Sequence, residues 1–436
     1  MKVLVVGAGG REHALVWKIR RSPGVREVLC APGSPGTGTL ARSVPVPPAA
    51  VRELAAFAAA ERVDLTVVGP ELPLSLGIAG EFAARGLALF GAGREAAAIE
   101  TSKAFAKRFL ERHGIPTAPF TVHDDPESAR RALRARREFP VVVKADGLAA
   151  GKGVTVAADL EAGLAAVRTL MEERRYGEAG DQIVIEDFLR GREASVFALT
   201  DGERVLPLAP CRDYKAALDG DRGPNTGGMG SYCPAPDPDP VLLRRIAATI
   251  LEPTVRGLAA ESRPYRGILY AGLMLTDGGP MVLEFNARFG DPEAQVLLAC
   301  LQSDLVPLLS GCAAGRLEAE AVRWEPLAAV CVVLASAGYP GEPRTGEPIR
   351  GLDSLENENG TLVFHAGTRR DPDGTLRTAG GRVLDVVGLG PDLDAARRRA
   401  YAAVERIEFQ GMRYRRDIAA PRTLAARAAE DGGGEL

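Results

Sequence analysis

Lysine is scarce in this sequence of 436 residues. Only seven of its 54 basic residues are lysine, and the other 47 are arginine. Such a composition uses arginine wherever a generic positive charge is sufficient, so the remaining lysines mark positions to examine for a specific use. They are Lys2, Lys18, Lys103, Lys107, Lys144, Lys152 and Lys215.

Cysteine and histidine are also few, and neither is spaced for metal binding. The six cysteines include no C-x-x-C pair, and the four histidines show no ligand spacing. This pattern favours free thiols over disulfides or a zinc site. Free thiols are typical of a reducing compartment, so we expect a cytoplasmic protein.

Other absences exclude whole classes of protein. The net charge of −3 argues against a general nucleic-acid binder, and no apolar run approaches the ~18 residues of a membrane span. The short apolar run at 2–6 meets glycine at once, so it predicts a first strand rather than a secretion signal. The length predicts about three globular domains.

The order of predicted elements indicates a multidomain protein of mixed α/β and α+β class. Over residues 1–100, apolar strands alternate with amphipathic helices, which predicts a parallel sheet flanked by helices. A small α+β unit follows at 122–192. The Gly- and Pro-rich stretch at 211–240 is too long for a simple connector and is expected to be either functional or disordered. A helix is predicted over 292–310, and a last α+β unit begins at 327.

Two glycine-containing turns follow neighbouring strands of the predicted parallel sheet. The first, GAGGRE at 7–12, precedes a helix, whose N-terminal N–H groups favour an anion. A dinucleotide loop would have a third glycine where Glu12 stands and an acid after the second strand, and both are missing. The second turn, GPE at 69–71, would share the same crevice. The alternative is a pair of tight turns without a ligand.

Two further segments carry groups suited to a nucleotide. The stretch KADGLAAGKG at 144–153 predicts a hairpin whose two lysines fold over a polyphosphate, although a solvated surface hairpin is the alternative. It is not a P-loop. After the buried strand at 183–187, the backbone at 188–189 is suited to a purine edge and Glu193 to ribose hydroxyls. A plain strand–turn–strand explains this second segment equally well.

The most informative strand is LEFNARFGD at 283–291. Alternation along a strand puts Glu284, Asn286 and Arg288 on one face. A carboxylate and an amide oxygen are hard ligands suited to Mg²⁺, and an adjacent arginine can hold a phosphoryl charge. The stretch at 212–230, with its glycines, asparagine and lysine, is suited to an anion, with a mobile connector as the alternative.

These segments together resemble a known enzyme family. In order, GAGGREHAL, GPELPL, TSKAFAK, KADGLAAGKGV, DGDRGPNTGGMGSY and LEFNARFGDPE are similar to the phosphoribosylamine–glycine ligases of the ATP-grasp superfamily, over residues 1 to about 420. The resemblance implies an ATP-dependent carboxylate–amine ligase of de novo purine biosynthesis. Glycine and 5-phosphoribosylamine would give glycinamide ribonucleotide, ADP and phosphate through a glycyl phosphate.

The resemblance also implies residue roles. The implied catalytic residues are Lys144, Asp213 and Arg288, and the implied ligands of Mg²⁺ or Mn²⁺ are Glu284 and Asn286. The implied ATP-binding residues are Lys103, Lys107, Lys144, Gly151, Lys152, Gly153, Glu186, Phe188, Leu189 and Glu193. The implied substrate-binding residues are Gly9, Gly10, Arg11, Glu12, Gly69, Pro70, Glu71, Lys215, Pro224, Asn225, Gly227, Gly228, Met229, Arg288, Gly290 and Asp291.

The second acidic metal ligand of many superfamily members has no counterpart on the strand at 267–275. A second ion would need Glu284 in a bridging role, Asp291 or Glu293. The implied division of the chain is a pre-ATP-grasp α/β domain (1–100), a central ATP-grasp domain (101–121 and 193–326), a lid (122–192), a small α+β domain (327–425) and a tail (426–436). We expect small-molecule partners only, with no nucleic acid or membrane, and a monomer or weak homodimer.

Three competing functions remain open at this point. A dinucleotide-dependent oxidoreductase would explain only the first loop. A non-catalytic nucleotide-binding regulator would give no use to Glu284, Asn286 and Arg288. An ATP-grasp ligase for another acid or amine is the third.

Overall fold

The computed structural model of this chain describes residues 1–149, 153–318, 322–355 and 358–421. The predicted site residues Gly151 and Lys152 and the predicted tail lie outside these ranges. Among the residues described, no helix is long and apolar enough to cross a membrane.

The first part of the chain is a parallel five-stranded sheet in the order β3-β2-β1-β4-β5. The run at 3–6 is fully buried, as expected of a strand covered on both faces. The strands are β1 (Lys2–Gly7), β2 (Glu27–Pro32), β3 (Arg42–Ser43), β4 (Leu65–Val68) and β5 (Leu89–Phe90). The helices are α1 (Gly10–Ile19), α2 (Val51–Ala60), α3 (Glu71–Ser75), α4 (Ile78–Ala83), α5 (Arg94–Thr101) and α6 (Lys103–Arg112).

A small antiparallel sheet with its own apolar core follows. Its order is β6-β9-β7-β8, so the predicted lysine hairpin forms one edge. The strands are β6 (Phe120–His123), β7 (Val141–Ala145), β8 (Val154–Ala157) and β9 (Ile183–Asp187). Two helices pack on it, α7 (Pro126–Ala135) and α8 (Leu160–Val167).

The central sheet is antiparallel, in the order β11-β10-β16-β17. The predicted loop at 211–240 is not a plain connector, because it contributes four short strands. The strands of the central sheet are β10 (Arg192–Thr200), β11 (Val205–Pro207), β16 (Gly267–Thr276) and β17 (Gly279–Asn286). The four short strands outside this sheet are β12 (Arg212–Asp213), β13 (Ala216–Leu218), β14 (Arg222–Asn225) and β15 (Gly230–Cys233). The helices α9 (Pro240–Ile246) and α10 (Glu252–Ala260) are joined by a π-helical turn over 247–251.

The predicted single helix over 292–310 is two helices, α11 (Glu293–Cys300) and α12 (Leu305–Ala314). The chain breaks between them because Leu301 pairs with Trp324 in an isolated bridge and the Asp304 side chain caps the second helix. Since α11 is buried along its whole length, helical periodicity could not reveal the break.

The last sheet joins distant parts of the chain, in the order β12-β15-β18-β22-β19. Its remaining strands are β18 (Ala328–Ala335), β19 (Thr361–His365) and β22 (Arg382–Gly390), with a separate hairpin of β20 (Thr368–Arg370) and β21 (Leu376–Thr378). The helix α13 (Leu393–Val404) packs on β18 and β22. Two strands from the stretch at 211–240 thus tie the central part of the chain to its end.

Candidate active site

One cavity of about 560 Å³ lies where these sheets meet. Loops after β1 and β4 form one wall, the small antiparallel sheet forms another, and β17 with the loop after it forms the floor. Nineteen of the predicted site residues line it: Arg11, Pro70, Glu71, Lys103, Lys107, Lys144, Gly153, Glu186, Phe188, Leu189, Glu193, Asp213, Lys215, Asn225, Gly227, Glu284, Asn286, Arg288 and Asp291.

Two of the lysines meet a single buried carboxylate. Glu186 at the end of β9 forms ion pairs with Lys107 and Lys144, and all three are at most 5% exposed. Lys107 Nζ also donates to Thr117 Oγ1 at 2.6 Å, and Lys144 Nζ donates to the Leu283 carbonyl at 3.0 Å. Burial lowers the pKa of Lys107 to about 8, although Glu186 opposes the shift. The cluster carries two positive charges for one negative charge.

The base of the lysine hairpin is fixed to the start of α6. Asp146 Oδ1 accepts the Ala104 backbone N–H at 3.0 Å, and its Oδ2 accepts from Ser102 Oγ at 3.2 Å. Lys103 Nζ donates to the Gly147 carbonyl at 3.1 Å. These bonds position the hairpin above the cavity.

The three polar residues predicted to share one strand face do lie together, although β17 ends at Asn286 and Arg288 lies in the loop after it. Arg288 Nη2 donates to Asn286 Oδ1 at 3.2 Å, and both line the cavity with Glu284. Burial would raise the pKa of Glu284, but Lys215 and Lys144 outweigh it and lower the pKa below its ordinary value. The carboxylate is therefore ionised at neutral pH, and it adjoins an amide oxygen and a guanidinium.

Arg288 is held by carboxylates from the first part of the chain. Its Nε lies 3.2 Å from both Glu71 Oε2 and Glu100 Oε1, and its Nη1 donates to the Phe289 carbonyl. Burial opposes the charged form of Arg288, yet Glu100 and Glu71 raise its pKa above the ordinary value. Glu100 also accepts the Ala287 N–H at 2.8 Å, which fixes the strand end beneath it. The guanidinium is thus permanently charged and rigidly oriented.

Lys215, between β12 and β13, is a further cation that lines the cavity. Its Nζ lies 3.8 Å from both Glu193 Oε2 and Glu284 Oε1. Burial would lower its pKa, but the carboxylates of Asp213, Glu193 and Glu284 raise it above the ordinary value. Burial raises the pKa of Asp213 to about 8.

Eight predicted substrate residues do not line the cavity: Gly9, Gly10, Glu12, Gly69, Pro224, Gly228, Met229 and Gly290. Glu12 instead turns into its own loop, where it accepts the Gly9 N–H at 2.7 Å and pairs with Arg11 Nε at 2.6 Å. An added Cβ on Gly69 would lie 2.1 Å from Glu12 Oε1. An added Cβ on Gly7 would lie 2.4 Å from Glu12 Cγ. Glycines of both loops therefore make room for a buried glutamate, and Arg11 is the residue of the first loop that lines the cavity.

The other residues of this group are occupied by packing or face solvent. An added Cβ on Gly228 would lie 2.4 Å from Pro292 Cδ, and one on Gly290 would lie 2.5 Å from Glu293 Oε2. Met229 is 2% exposed within the fold, and Pro224 is exposed to solvent. Gly228, Met229 and Gly290 therefore pack behind the cavity wall, whereas Pro224 faces solvent.

No sequence motif indicated that residues from the last part of the chain line this cavity. Arg382, at the start of β22, donates to the Gly227 carbonyl at 2.7 Å and to Asp291 Oδ2 at 2.9 Å. Tyr339 Oη accepts the Gly227 N–H at 2.9 Å. Arg382 is one of 47 arginines, so the amino-acid composition did not single it out. The other polar residues of the wall that were not predicted are Glu100, Asp187, Thr226 and Tyr270. Glu293, considered from the sequence only as a ligand for a second metal ion, also lines it.

Three family models match the chain in succession. They are the phosphoribosylglycinamide synthetase N domain over residues 1–100, the ATP-grasp (A) domain over 101–294 and the C domain over 329–421. The chain belongs to the phosphoribosylglycinamide synthetase family. It is therefore an ATP-grasp ligase of purine biosynthesis, and the family implies the use of ATP and a divalent metal ion. The resemblance stated from the motifs is confirmed, and the two non-ligase alternatives are excluded.

Curated relatives are similar over nearly their whole length. A phosphoribosylamine–glycine ligase of Phenylobacterium zucineum is 50% identical over 419 residues, which cover 96% of this chain and 98% of the relative. One from Allochromatium vinosum is 51% identical over 421 residues, with the same coverage. The fold class predicted from the sequence agrees with these relatives and with the solved structures.

Solved structures show the same architecture. The crystal structure of phosphoribosylamine–glycine ligase from Thermotoga maritima has a TM-score of 0.84 and 37% identity, covering 96% of this chain and all of that one. The biotin carboxylase domain of 2-oxoglutarate carboxylase from Hydrogenobacter thermophilus has a TM-score of 0.74 at 16% identity, covering 99% of this chain and 95% of that one. That second likeness extends to the fold alone.

Proposed function

We propose that this chain joins glycine to 5-phosphoribosylamine at the expense of ATP, giving glycinamide ribonucleotide, ADP and phosphate. The observation that carries the proposal is the rigidly held Arg288 beside Glu284 and Asn286, in the cavity of a chain about half identical to relatives named for this reaction.

The ATP phosphates belong at the lysine-rich end of the cavity. Lys107 and Lys144 supply a net positive charge there, and Lys103 lies at the hairpin base. Lys152, with Gly151, remains a candidate from the hairpin tip outside the described ranges, next to Gly153. Because Glu186 forms ion pairs with two lysines, we propose that its role is to position their ammonium groups. Adenine is then left to the backbone at 188–189 and ribose to Glu193.

Glu284 and Asn286 are the proposed metal ligands, for Mg²⁺ or Mn²⁺. Their carboxylate and amide oxygens both face the cavity and form a hard-oxygen donor set that fits either ion. No cluster of three or more Asp, Glu, His or Cys suited to a metal occurs in the described ranges, so nucleotide phosphates would supply further ligands. The bound ion would neutralise phosphate charge.

The reaction needs positioning and charge stabilisation rather than a protein nucleophile. An oxygen of the glycine carboxylate attacks the γ-phosphorus of ATP, and the bond to the ADP oxygen breaks. The amine nitrogen of phosphoribosylamine then attacks the acyl carbon, phosphate leaves, and the nitrogen loses a proton. Arg288 stabilises the negative charge that develops on the acyl phosphate.

The substrate end of the cavity is formed by residues from distant segments. We assign the phosphoribosyl group to Arg11, Pro70, Glu71, Asn225, Gly227 and Asp291, all of which line this wall. Asp213 and Lys215 close the glycine side. We assign no substrate contact to the eight predicted residues that do not line the cavity.

The domain division set out from the sequence belongs to the same proposal. The unit at 122–192 has its own core and carries the lysine hairpin, which suits a lid. An acyl phosphate hydrolyses when water enters, so a cover over the cavity serves the chemistry. We propose a cytoplasmic location, which six buried free thiols support, and a monomer or weak homodimer with small-molecule partners alone.

The experiment that tests this function is a phosphate-release assay on the purified chain with freshly made phosphoribosylamine. Phosphate release should require ATP, glycine and the amine together, and it should fail with other amino acids. Arg288→Ala should lower kcat by about 10²-fold or more, while ATP binding measured by calorimetry is retained. Full turnover in this variant would contradict the role of Arg288, and release without glycine would contradict the function.

A further inference from the structure

Glu293 is an ionisable residue in the cavity wall that was considered from the sequence only as a ligand for a second metal ion. It is the first residue of α11, a helix buried along its whole length, and it is 2% exposed. Its carboxylate lies over Gly290, where an added Cβ would be 2.5 Å from Oε2. The glycine therefore leaves the room that lets this carboxylate reach the cavity.

Tyr270, one member of a hydrogen-bonded pair, lines the cavity with Glu293. The Tyr270 hydroxyl of β16 lies 3.0 Å from Ser195 Oγ on β10, and the charge of Glu293 contributes to raising the pKa of Tyr270. Tyr270 is 4% exposed and Ser195 is 3% exposed. A buried tyrosine hydroxyl is therefore part of the surroundings of this carboxylate.

Glu293 faces the cavity without a cation of its own. Within the described part of the chain, no Lys, Arg or His nitrogen lies within 4.0 Å of the Glu293 carboxylate, and the same holds for Asp213. Asp213, Lys215 and Glu293 line the same cavity, and the charge of Glu293 contributes to raising the pKa of both Asp213 and Lys215. Buried carboxylates without a partner are costly, and a bound cation removes that cost.

The cations nearby are engaged with other carboxylates. Arg288 is bound to Glu71 and Glu100, and Lys215 lies between Glu193 and Glu284. One end of the cavity therefore presents cations on one side and unpartnered carboxylates on the other. This distribution of charge matches a zwitterion with its carboxylate and ammonium at opposite ends.

We propose that Glu293, together with Asp213, binds the α-ammonium group of the amino-acid substrate and selects for it. This inference rests on the proposed function. With the ammonium anchored there, the substrate carboxylate is directed toward Arg288 and the nucleotide, where it is phosphorylated.

The test compares glycine with glycolate, which has the same size and carboxylate but a hydroxyl in place of the ammonium. In the unmodified chain, glycine should bind far better than glycolate, measured as KM and as a competitive inhibition constant in the phosphate-release assay. Glu293→Gln removes the charge at constant shape and should raise the KM for glycine about tenfold or more, with glycolate inhibition little changed. Glu293→Asp, which keeps the charge, should fall between the two.

Glu193→Gln is the matched contrast, because Glu193 also lines this cavity but is assigned to ribose. It should raise the KM for ATP and leave the ratio of glycine to glycolate affinity unchanged. In Glu293→Gln, by contrast, the KM for ATP should stay within about twofold.

Each other outcome counts against the inference in a distinct way. An equal loss for glycine and glycolate in Glu293→Gln means that the residue is structural. A shift in the Mg²⁺ concentration for half-maximal rate, with the glycine KM unchanged, makes it a metal ligand instead. If the unmodified chain releases phosphate at the same rate with and without glycine, the proposed function fails along with this inference. The other two outcomes overturn this inference alone.

Discussion

Gly10 lies against Asp385, a fully buried residue of the last sheet. An added Cβ at Gly10 would lie 1.7 Å from Asp385 Oδ2. The sequence predicted Gly10 as part of an anion-binding loop, because glycines before a helix suit that use. Its actual constraint is a partner far along the chain, which no local pattern reveals.

Gly10→Ala should therefore destabilise the fold even without any ligand. The new methyl group must displace a buried carboxylate that also accepts from Gln295 Nε2 at 2.7 Å. We expect the free energy of unfolding to fall by about 2–4 kcal/mol, measured by urea denaturation.

Gly24→Ala is the control for that measurement, because nothing lies within 4 Å of an added Cβ there. It should change stability by no more than about 0.5 kcal/mol. If Gly10→Ala were as stable as this control, the packing account of Gly10 would be wrong.

Other residues were predictable from chemistry alone. The few lysines pointed to Lys107 and Lys144, and alternation along a strand pointed to Glu284, Asn286 and Arg288. What could not be predicted is that Glu186 joins the two lysines. Its segment indicated a nucleotide contact, and only the register of β9 against β7 puts the carboxylate between the ammonium groups.

Among the elements, β22 contributes a residue to the cavity that its sequence did not indicate. Arg382 at its start donates to the carbonyl groups of Gly227 and Asp291 and to the Asp291 carboxylate. A single side chain thus joins two loops that lie far apart in the sequence. The alternating pattern predicted a strand in this last unit, but not that its first residue bridges other loops.

Arg382→Ala should loosen this substrate wall and leave the nucleotide end intact. Losing hydrogen bonds to a buried charge costs about 1.5–3 kcal/mol, so kcat/KM for phosphoribosylamine should fall about tenfold to a hundredfold. The dissociation constant for ATP, measured by calorimetry, should change by less than about threefold.

Arg397→Ala provides the comparison, since Arg397 donates to the carbonyl groups of Ile418 and Arg416 and does not line the cavity. Its catalytic parameters should remain close to those of the unmodified chain. Equal losses in the two variants would mean that Arg382 acts on overall folding.

At the scale of the whole molecule, the parallel sheet, the lysine hairpin and the presence of a separate last unit were predictable, because each follows from local periodicity. The contact between the first and last parts was not. His13 of α1 accepts the His365 N–H of β19 at 2.9 Å through Nδ1, and their rings are 5.6 Å apart. Burial lowers the pKa of His13 to about 3 and that of His365 to about 4.

This junction should make the molecule sensitive to acid. Both folded-state pKa values lie below the ordinary 6.5, so between about pH 6.5 and 4 the unfolded chain binds protons that the folded chain does not. Stability is full above this window and falls as the pH is lowered through it. By pH 5 each histidine should cost about 2 kcal/mol of unfolding free energy, measured by urea denaturation.

His13→Gln keeps an acceptor for the backbone N–H but cannot be protonated, so it should lose less stability than the unmodified chain between pH 7 and pH 5. His123→Gln, in the small antiparallel sheet, should flatten the slope of stability against pH less than His13→Gln does, because burial also lowers the pKa of His123 but this side chain is only partly buried. The same slope in all three proteins would show that another group controls the acid response.

The cavity wall that includes Tyr339 and Arg382 has a consequence for synthesis. A chain made from its N-terminus contains the lysines and the proposed metal ligands well before residue 382 leaves the ribosome. Until then, the loops around Gly227 and Asp291 lack the Arg382 guanidinium that joins them. A nascent chain should therefore lack a complete cavity wall until its last sheet has formed.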